Sequence, residues 1–382
     1  PGTTLTTSPA PATSESTEPT ADAFAERILA AGLAALDLQT IRLGDRLGFY
    51  RAMASGAPVT SAQLAERTGT AERYAREWLE QQAVTAVLHV VDDTGDPATR
   101  TFRLPAGHAE VLTDVLSPAH LTWMATMVGA FARQADALER AYRTGGGVSW
   151  DQQGDDARHA QAAANRRMLL EDLPRTHLPL IPGMAETLRA GARVADVGCG
   201  FGWSSIGIAL AHPEVSVDAF DVDAPSVEAA RRNAAEAGVA DRVRFHVADA
   251  ADTGGSGVDG GSGVGGGYDL VLAVECVHDL PDPVGVLAGM RRLAAPGATV
   301  LVVDERVAET FTAPGDEVER LMYAYSVLCC LPDGMAHPHS AATGTVMRPA
   351  TLRRYAAEAG FPRVDVLDVE DDFFRFYRLV PG

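Results

Sequence analysis

Between residues 21 and 54, Phe24, Ile28, Leu29, Leu33, Leu36, Leu38, Ile41, Leu43 and Leu47 recur at helical spacing and predict a helical segment. Thr60 and Ser61 can cap a helix over 61–67. Gly69-Thr70 then breaks the pattern, and a second helix is expected over 71–83 with Tyr74, Trp78, Leu79 and Val84 facing inward. Residues 86–92 and 100–104 read as two strands around the turn-rich stretch from Asp93 to Thr99. Helix, turn, helix and hairpin together make a winged-helix pattern. Helical periodicity resumes over 107–143 and 155–189, split by Gly145-Gly146-Gly147. Trp123, Met124, Met127 and Phe131 form an apolar stripe there, suited to a core, a dimer interface or the wall of a substrate pocket.

From Ala192 the pattern changes to alternating strands and helices. Strands are expected at 192–198, 215–221, 243–247, 268–275 and 298–304, and helices at 203–212, 225–237 and 283–294. Such alternation implies a doubly wound parallel sheet. A helix at 349–359 precedes a last strand pair, 363–369 and 373–379. The fold class is therefore α/β: a Rossmann-like doubly wound sheet with a C-terminal antiparallel hairpin, plus an N-terminal, mainly α winged-helix domain. The expected organisation is a disordered tail over 1–20, a winged-helix and helical domain over 21–184, and a second domain over 185–382. The Gly-rich stretch 253–267 reads as a flexible surface insertion.

Composition narrows the functions open to this fold. All 32 basic residues are Arg; they face 51 acids, for a net charge of −19. An acid excess of this size argues against broad binding to nucleic acid or anionic membranes, and the missing Lys removes Schiff-base chemistry. The helix that would enter a DNA groove carries Glu72, Glu77 and Glu80 against Arg73 and Arg76. The winged helix thus reads as structural or dimerising rather than as a DNA reader. Four cysteines without CxxC spacing suggest neither a disulfide scaffold nor a zinc knuckle. Residues 1–20 lack the basic start and apolar core of a signal peptide, and a cytoplasmic location is expected.

The chemistry-bearing residues gather at predicted strand ends. Strand 192–198 runs into Asp196-Val197-Gly198-Cys199-Gly200-Phe201-Gly202 before a helix. Glycines there let the backbone turn sharply and approach a ligand, and Asp196 can neutralise a cationic one. The next strand ends in Phe220-Asp221-Val222-Asp223, where Asp221 can accept hydrogen bonds from a ribose diol. The third ends in Val247-Ala248-Asp249-Ala250, where the carboxylate can accept from an adenine amino group. Three acids at adjacent strand tips suit a ligand with a cationic amino-acid end, a ribose and an adenine. Asp223 reads as a helix cap, Cys199 as a small turn residue, and Cys329-Cys330 as packing.

Four collinear segments, VADVGCGFG, AFDVDAPSVEAARRNA, VRFHVADA and YDLVLAVECVHDLPDP, make residues 185–382 resemble the class I S-adenosylmethionine-dependent methyltransferases. The whole chain resembles the two-domain small-molecule O-methyltransferases of actinobacterial type, whose N-terminal winged-helix domain dimerises. The resemblance implies S-adenosyl-L-methionine as cofactor, S-adenosyl-L-homocysteine as product, a small-molecule substrate and a homodimer, with no membrane, nucleic-acid or metal partner. It places Asp196, Gly198, Gly200 and Gly202 around the methionine portion, Asp221 at the ribose, and Asp249 with Ala250 at the adenine. Val222 and Glu275 complete the expected cofactor set. His278, in Glu275-Cys276-Val277-His278-Asp279-Leu280-Pro281-Asp282, stands where such enzymes carry a general base, and Asp304 and Glu305 resemble the acid that orients it. O-methylation of a small molecule, such as a secondary metabolite, by in-line displacement is the favoured activity. Trp123, Met127, Met322, Tyr323 and His337 are candidate substrate contacts. The alternatives are C- or N-methylation, a metal held by His278, Asp279, His337 and His339, a regulator that binds the cofactor without catalysis, and a nicotinamide oxidoreductase, which would bind NAD instead.

Overall fold

The computed structural model describes residues 20–93, 95–253 and 266–381. The expected tail, apart from Thr20, and most of the Gly-rich stretch lie outside the described residues. The chain forms two interleaved compact units. One runs to Arg133 and takes back His159–Arg167; the other comprises Gln134–Arg158 and Met168–Gly382.

In the first unit, Thr20 caps the helix Ala21–Arg46 by accepting from the Ala23 amide at 3.2 Å. The segment expected over 21–54 is interrupted: Gly48 adopts φ 73° and a short helix, Phe49–Met53, starts anew. Thr60 and Gln63 form a reciprocal capping box for Ser61–Thr68, which Gly69 ends at φ 66°. The next helix, Glu72–Val84, buries Ala75, Trp78, Leu79 and Gln82, a stripe at i, i+3, i+4 and i+7. Tyr74 and Val84, expected inward, lie off that stripe and are 80% and 86% exposed. Strands β1 (His89–Asp92) and β2 (Thr101–Arg103) pair antiparallel as the wing. Strand β1 begins three residues later than expected. The helix C-terminal turn consumes Ala86, at φ 59°, and the amides of Val87 and Leu88 donate back to the Gln82 carbonyl. Phe49, Tyr50, Met53, Leu64, Trp78 and Phe102 meet in this unit's core. The long helix instead leaves Phe24, Ile28, Leu29, Leu33, Leu36 and Leu43 at least 50% exposed.

The second unit is built on a seven-stranded sheet of β3 (Arg193–Val197), β4 (Ser216–Asp221), β5 (Val243–Val247), β6 (Tyr268–Val274), β7 (Ala294–Glu305), β8 (Arg363–Val366) and β9 (Phe374–Val380). The spatial order is β5-β4-β3-β6-β7-β9-β8. Strands β3 to β7 run parallel, and β9 pairs antiparallel with both β7 and β8. Period-two alternation sends Val194, Val217, Leu270 and Leu272 into one apolar layer and Ala195, Val197, Val271 and Ala273 into the other. The helices Trp203–Ala211, Ala224–Glu236, Pro283–Leu293 and Pro349–Glu358 follow the expected ranges within a residue or two. Strand β8 is shorter than expected and stops at Val366.

Chain order reverses beside β3, whose neighbours are β4 on one side and β6 on the other. The carboxyl ends of parallel strands at such a switch point form a ligand crevice. The segment after β7 forms Glu317–Tyr325, a widened turn over Ser326–Cys330, and Leu331–Met335. Here Met322 is buried and packs with Val307 and Val318. Among the described residues, no helix is long and apolar enough to cross a membrane.

Candidate active site

Three glycines shape the turn after β3, each for a different reason. Gly198 (φ 71°) lies against Cys276, whose Sγ would be 2.6 Å from an added Cβ. Gly202 (φ 78°) lies against Phe245, also at 2.6 Å. Both are packing requirements. Gly200 (φ 51°) has nothing within 4 Å of its Cβ position, so its backbone borders open space. The turn is therefore held at both ends and open in the middle, an arrangement that lets a ligand approach the main chain.

The acids at the strand tips are already tied to this turn. Asp196 is buried, and its Oδ2 accepts from the hydroxyls of Ser204 and Ser205 at 2.5 and 2.6 Å. Burial, with some repulsion from Asp221, lifts its pKa to about 6 against the pull of the two serines. Asp221 accepts from the Gly200 amide through Oδ2 and from the Asp223 amide through Oδ1, both at 2.8 Å. Burial raises its pKa as well. Each carboxylate oxygen has a second lone pair, so both acids keep acceptor capacity for a ligand. Asp249 is exposed and accepts from the Ala251 amide at 2.8 Å. Ala250 is buried and packs under the helix Pro283–Leu293 at Gly289. Val222 is 68% exposed. Glu275 follows β6 at φ 51°, in the left-handed region.

His278 lies beyond the tip of β6, with its side chain buried. Its Nδ1–H donates to Asp304 Oδ1 at 2.9 Å, which leaves Nε2 as the basic nitrogen. The same Nδ1 lies 3.1 Å from Glu305 Oε2, and Nε2 lies 3.3 Å from Asp279 Oδ1; neither contact is aligned as a hydrogen bond. Burial works against a charged ring, but Asp279, Glu305 and Asp304 outweigh it and hold the His278 pKa well above its ordinary value. Asp304 and Glu305 are thus not a solvated strand end; both are buried against the imidazole. Burial pushes the Glu305 pKa far up, and the Asp304 charge adds to that. Asp304 stays below the usual carboxylate range because His278 and Glu305 overcome its burial. The surroundings thus favour a charged His278 and an ionised Asp304, and burial disfavours a charge on Glu305.

Among the described residues, two groups have ligand atoms close enough for a metal ion: His278, Asp279 and Cys330, and His278, Asp304 and Glu305. His337 and His339, the other half of the metal alternative, belong to neither and are exposed. Tyr323 is 38% exposed, and its hydroxyl accepts from Arg348. Trp123 and Met127 belong to the first unit. The Trp123 indole donates to the His120 carbonyl, and Met127 is buried.

Sequence reasoning passed over Ser204, Ser205, Asp333 and Arg158. The serines follow the Gly turn on the first turn of a helix, a position that could have drawn attention to them. Asp333 accepts from the Trp150 amide, and burial together with Asp279 raises its pKa to about 7. Arg158 is a buried cation bonded to Asp223, with no motif to announce it.

Comparison with known proteins gives matches in both parts of the chain. Residues 188–342 match the model described as a methyltransferase domain, and residues 34–114 match an Rv2258c-like winged HTH domain. A 117-residue stretch is 34% identical to 27-O-demethylrifamycin SV methyltransferase of Amycolatopsis mediterranei (strain S699) and covers 31% of this chain and 40% of that protein. The first three curated relatives are spanned over 40%, 34% and 36% of their lengths. Human N-acetylserotonin methyltransferase, solved with S-adenosylmethionine, superposes with TM-score 0.65 at 15% identity, over 96% of this chain and 100% of that one. An O-methyltransferase family protein from Burkholderia thailandensis gives TM-score 0.62 at 17% identity, over 93% and 98%. At these identities the structural matches establish the fold.

Proposed function

This chain carries a methyltransferase domain behind a winged-helix domain, and from that premise we propose that it is an S-adenosylmethionine-dependent enzyme methylating a hydroxyl of a small molecule. The observation that carries the reading is that the open Gly200 turn follows β3 while the buried His278, its Nδ1 held by Asp304, follows the neighbouring strand β6. Asp221 and Asp249 would hold the ribose and adenine, and Asp196 would balance the cationic end. When bound, the cofactor supplies a methyl group already activated on a sulfonium.

The protein's own contribution is alignment and proton removal. With Nδ1–H engaged by Asp304, a neutral His278 presents Nε2 to accept a substrate hydroxyl proton. The imidazolium so formed is stabilised by Asp304 and by Asp279 at 3.3 Å. The same carboxylates keep the ring protonated until the pH exceeds its raised pKa. Base catalysis is therefore expected to grow as pH rises above the ordinary imidazole range. A second reading starts from the raised pKa of His278: if the rate does not depend on deprotonation of the ring, the nucleophile is one that needs no base, a nitrogen or an activated carbon.

Relatives of this chain include a methyltransferase named for a rifamycin, and a secondary metabolite fits the proposed substrate class. The exposed apolar stripe of Ala21–Arg46 supports a homodimer formed through that helix, and the absence of Lys with paired Arg on Glu72–Val84 fits a scaffold rather than a DNA reader. The test is transfer of labelled methyl to a panel of phenols and other hydroxylated small molecules by wild type and His278→Ala. Loss of transfer with retained S-adenosylhomocysteine binding supports the reading; full transfer by the variant removes His278 from the base role.

A further inference from the structure

Arg158 is a fully polar side chain placed almost entirely out of water, with only 4% of its side-chain surface exposed. Its guanidinium makes a two-pronged contact with Asp223: Nε to Oδ2 and Nη2 to Oδ1, both at 2.8 Å. It also reaches Asp151 at 3.1 Å and Asp155 at 3.2 Å, both largely exposed. A buried Arg is costly unless its donors are met, and here the strong pair is the one with Asp223.

Asp223 is bound on its other sides too. Its Oδ2 accepts from the amide and hydroxyl of Ser226 and so caps the helix Ala224–Glu236. Its own amide donates to Asp221 Oδ1, and Asp221 Oδ2 accepts from the Gly200 amide. One continuous line of hydrogen bonds thus runs from Arg158 through Asp223 and Asp221 to the open glycine of the turn. Two carboxylates two residues apart at one strand tip repel each other. Arg158 neutralises the outer one and leaves the inner one as the free acceptor.

The same segment is anchored at its other end. The Val148 amide donates to the Pro332 carbonyl, the Trp150 amide to Asp333 Oδ1, and Gln153 Nε2 to the Leu328 carbonyl. Gly154, at φ 79° and ψ −176°, breaks the helix Trp150–Arg167 between those anchors and Arg158. Arg158 therefore sits on the helical stretch that follows a glycine break, apart from the anchors before it.

We propose that Arg158 is a positioning residue of the cofactor site, fixing Asp223 and through it the ribose-binding carboxylate Asp221 and the Gly200 turn. The proposal rests on the reading of Asp221 as a cofactor ligand. It assigns Arg158 no contact with cofactor or substrate. Its loss must therefore weaken cofactor binding while leaving the step after saturation nearly intact.

The test is calorimetric titration of S-adenosylhomocysteine into the full-length wild type, Arg158→Lys, Asp223→Asn and Arg232→Gln. Steady-state kinetics at varied cofactor are run on the same proteins. Lys keeps the charge but loses the planar fork. Asn keeps the helix cap but loses the ion pair. Arg232, paired with Glu228 on the exposed face of the same helix, controls for charge removal. Expected are a tenfold or greater rise in Kd and cofactor KM for Arg158→Lys and Asp223→Asn, with kcat within about threefold. Arg232→Gln should match wild type. Unchanged Kd in folded Arg158→Lys overturns the proposal, as does an equal fall in kcat at saturating cofactor. If Arg158→Lys does not fold, Asp223→Asn decides by the same criteria. A wild type that binds no S-adenosylhomocysteine refutes the cofactor reading instead, whatever the variants do.

Discussion

The Nδ1–H of His278 donates to Oδ1 of Asp304 across 2.9 Å, and both side chains are at least 97% buried. The bond joins the segment after β6 to the end of β7, two neighbouring parallel strands. It fixes the ring's tautomer and rotation with a charged acceptor rather than a neutral one. Burial and the Asp304 charge push the pKa of the adjacent Glu305 up.

That asymmetry separates two adjacent acids by experiment. Asp304→Asn removes the counter-charge of a buried imidazolium and should cost about 3–5 kcal/mol of stability. Glu305→Gln removes a carboxyl whose ionisation burial already disfavours, keeps its shape, and should cost about 1 kcal/mol or less. Urea unfolding of the two variants checks the difference; equal losses would mean that both carboxyls are ionised.

The pH dependence of His278 has a defined sign. Its folded pKa is raised, so its ion pair stabilises the fold fully below the unfolded value of about 6.5, and that contribution is lost as pH rises through the folded pKa. Base catalysis needs the neutral ring, so turnover should climb with pH to a midpoint above 6.5. His278→Ala should abolish this limb and reduce turnover about 10²–10⁴-fold. A rate–pH profile of wild type and variant checks both; a flat wild-type profile would favour the nitrogen or carbon nucleophile.

Asp196 predicts a second pH effect, on cofactor binding. Its pKa of about 6 means that it loses its charge as pH falls through that value. Affinity for S-adenosylhomocysteine, whose amino-acid end carries an ammonium, should fall across the same range. Asp221, also raised by burial, acts in the same direction. Asp196→Asn should bind more weakly at pH 7 and show a smaller further loss at pH 5, read by titration calorimetry.

The exposed leucines of Ala21–Arg46 predict association. Leu33→Asp with Leu36→Asp places two charges in an apolar stripe whose residues are at least half exposed. Light scattering should give a dimer for wild type and a monomer for the variant, with the far-ultraviolet spectrum unchanged. A monomeric wild type would leave that stripe unexplained.

The parallel sheet, the helix ranges of the second unit and the strand-tip acids were legible because each follows from short periodic patterns or from glycine spacing. Strands β3 to β6 alternate within layers covered on both faces, so their boundaries stand out as apolar runs. Tyr74 and Val84 were not legible as surface residues, because a helix of mixed apolar content permits more than one inward stripe. The segment 317–335 escaped because its widened turn over Ser326–Cys330 disrupts the 3.6-residue period. Arg158 escaped for a different reason: it meets Asp223 from 65 residues away, and no local pattern records a contact of that range. The surroundings of His278 were legible only in part: its candidacy as a base and the acids Asp304 and Glu305 could be read from the sequence, but its burial and the approach of Asp279 are properties of the assembled site.

The central claim is that the β3 and β4 tips hold a sulfonium nucleoside cofactor. Calorimetric titration of S-adenosylhomocysteine into wild type and Asp221→Ala tests it most directly. The expected result is saturable one-site binding to wild type, at least tenfold weaker binding to Asp221→Ala, and no heat with NAD. Absence of S-adenosylhomocysteine binding, or equal affinity in the two proteins, would contradict it.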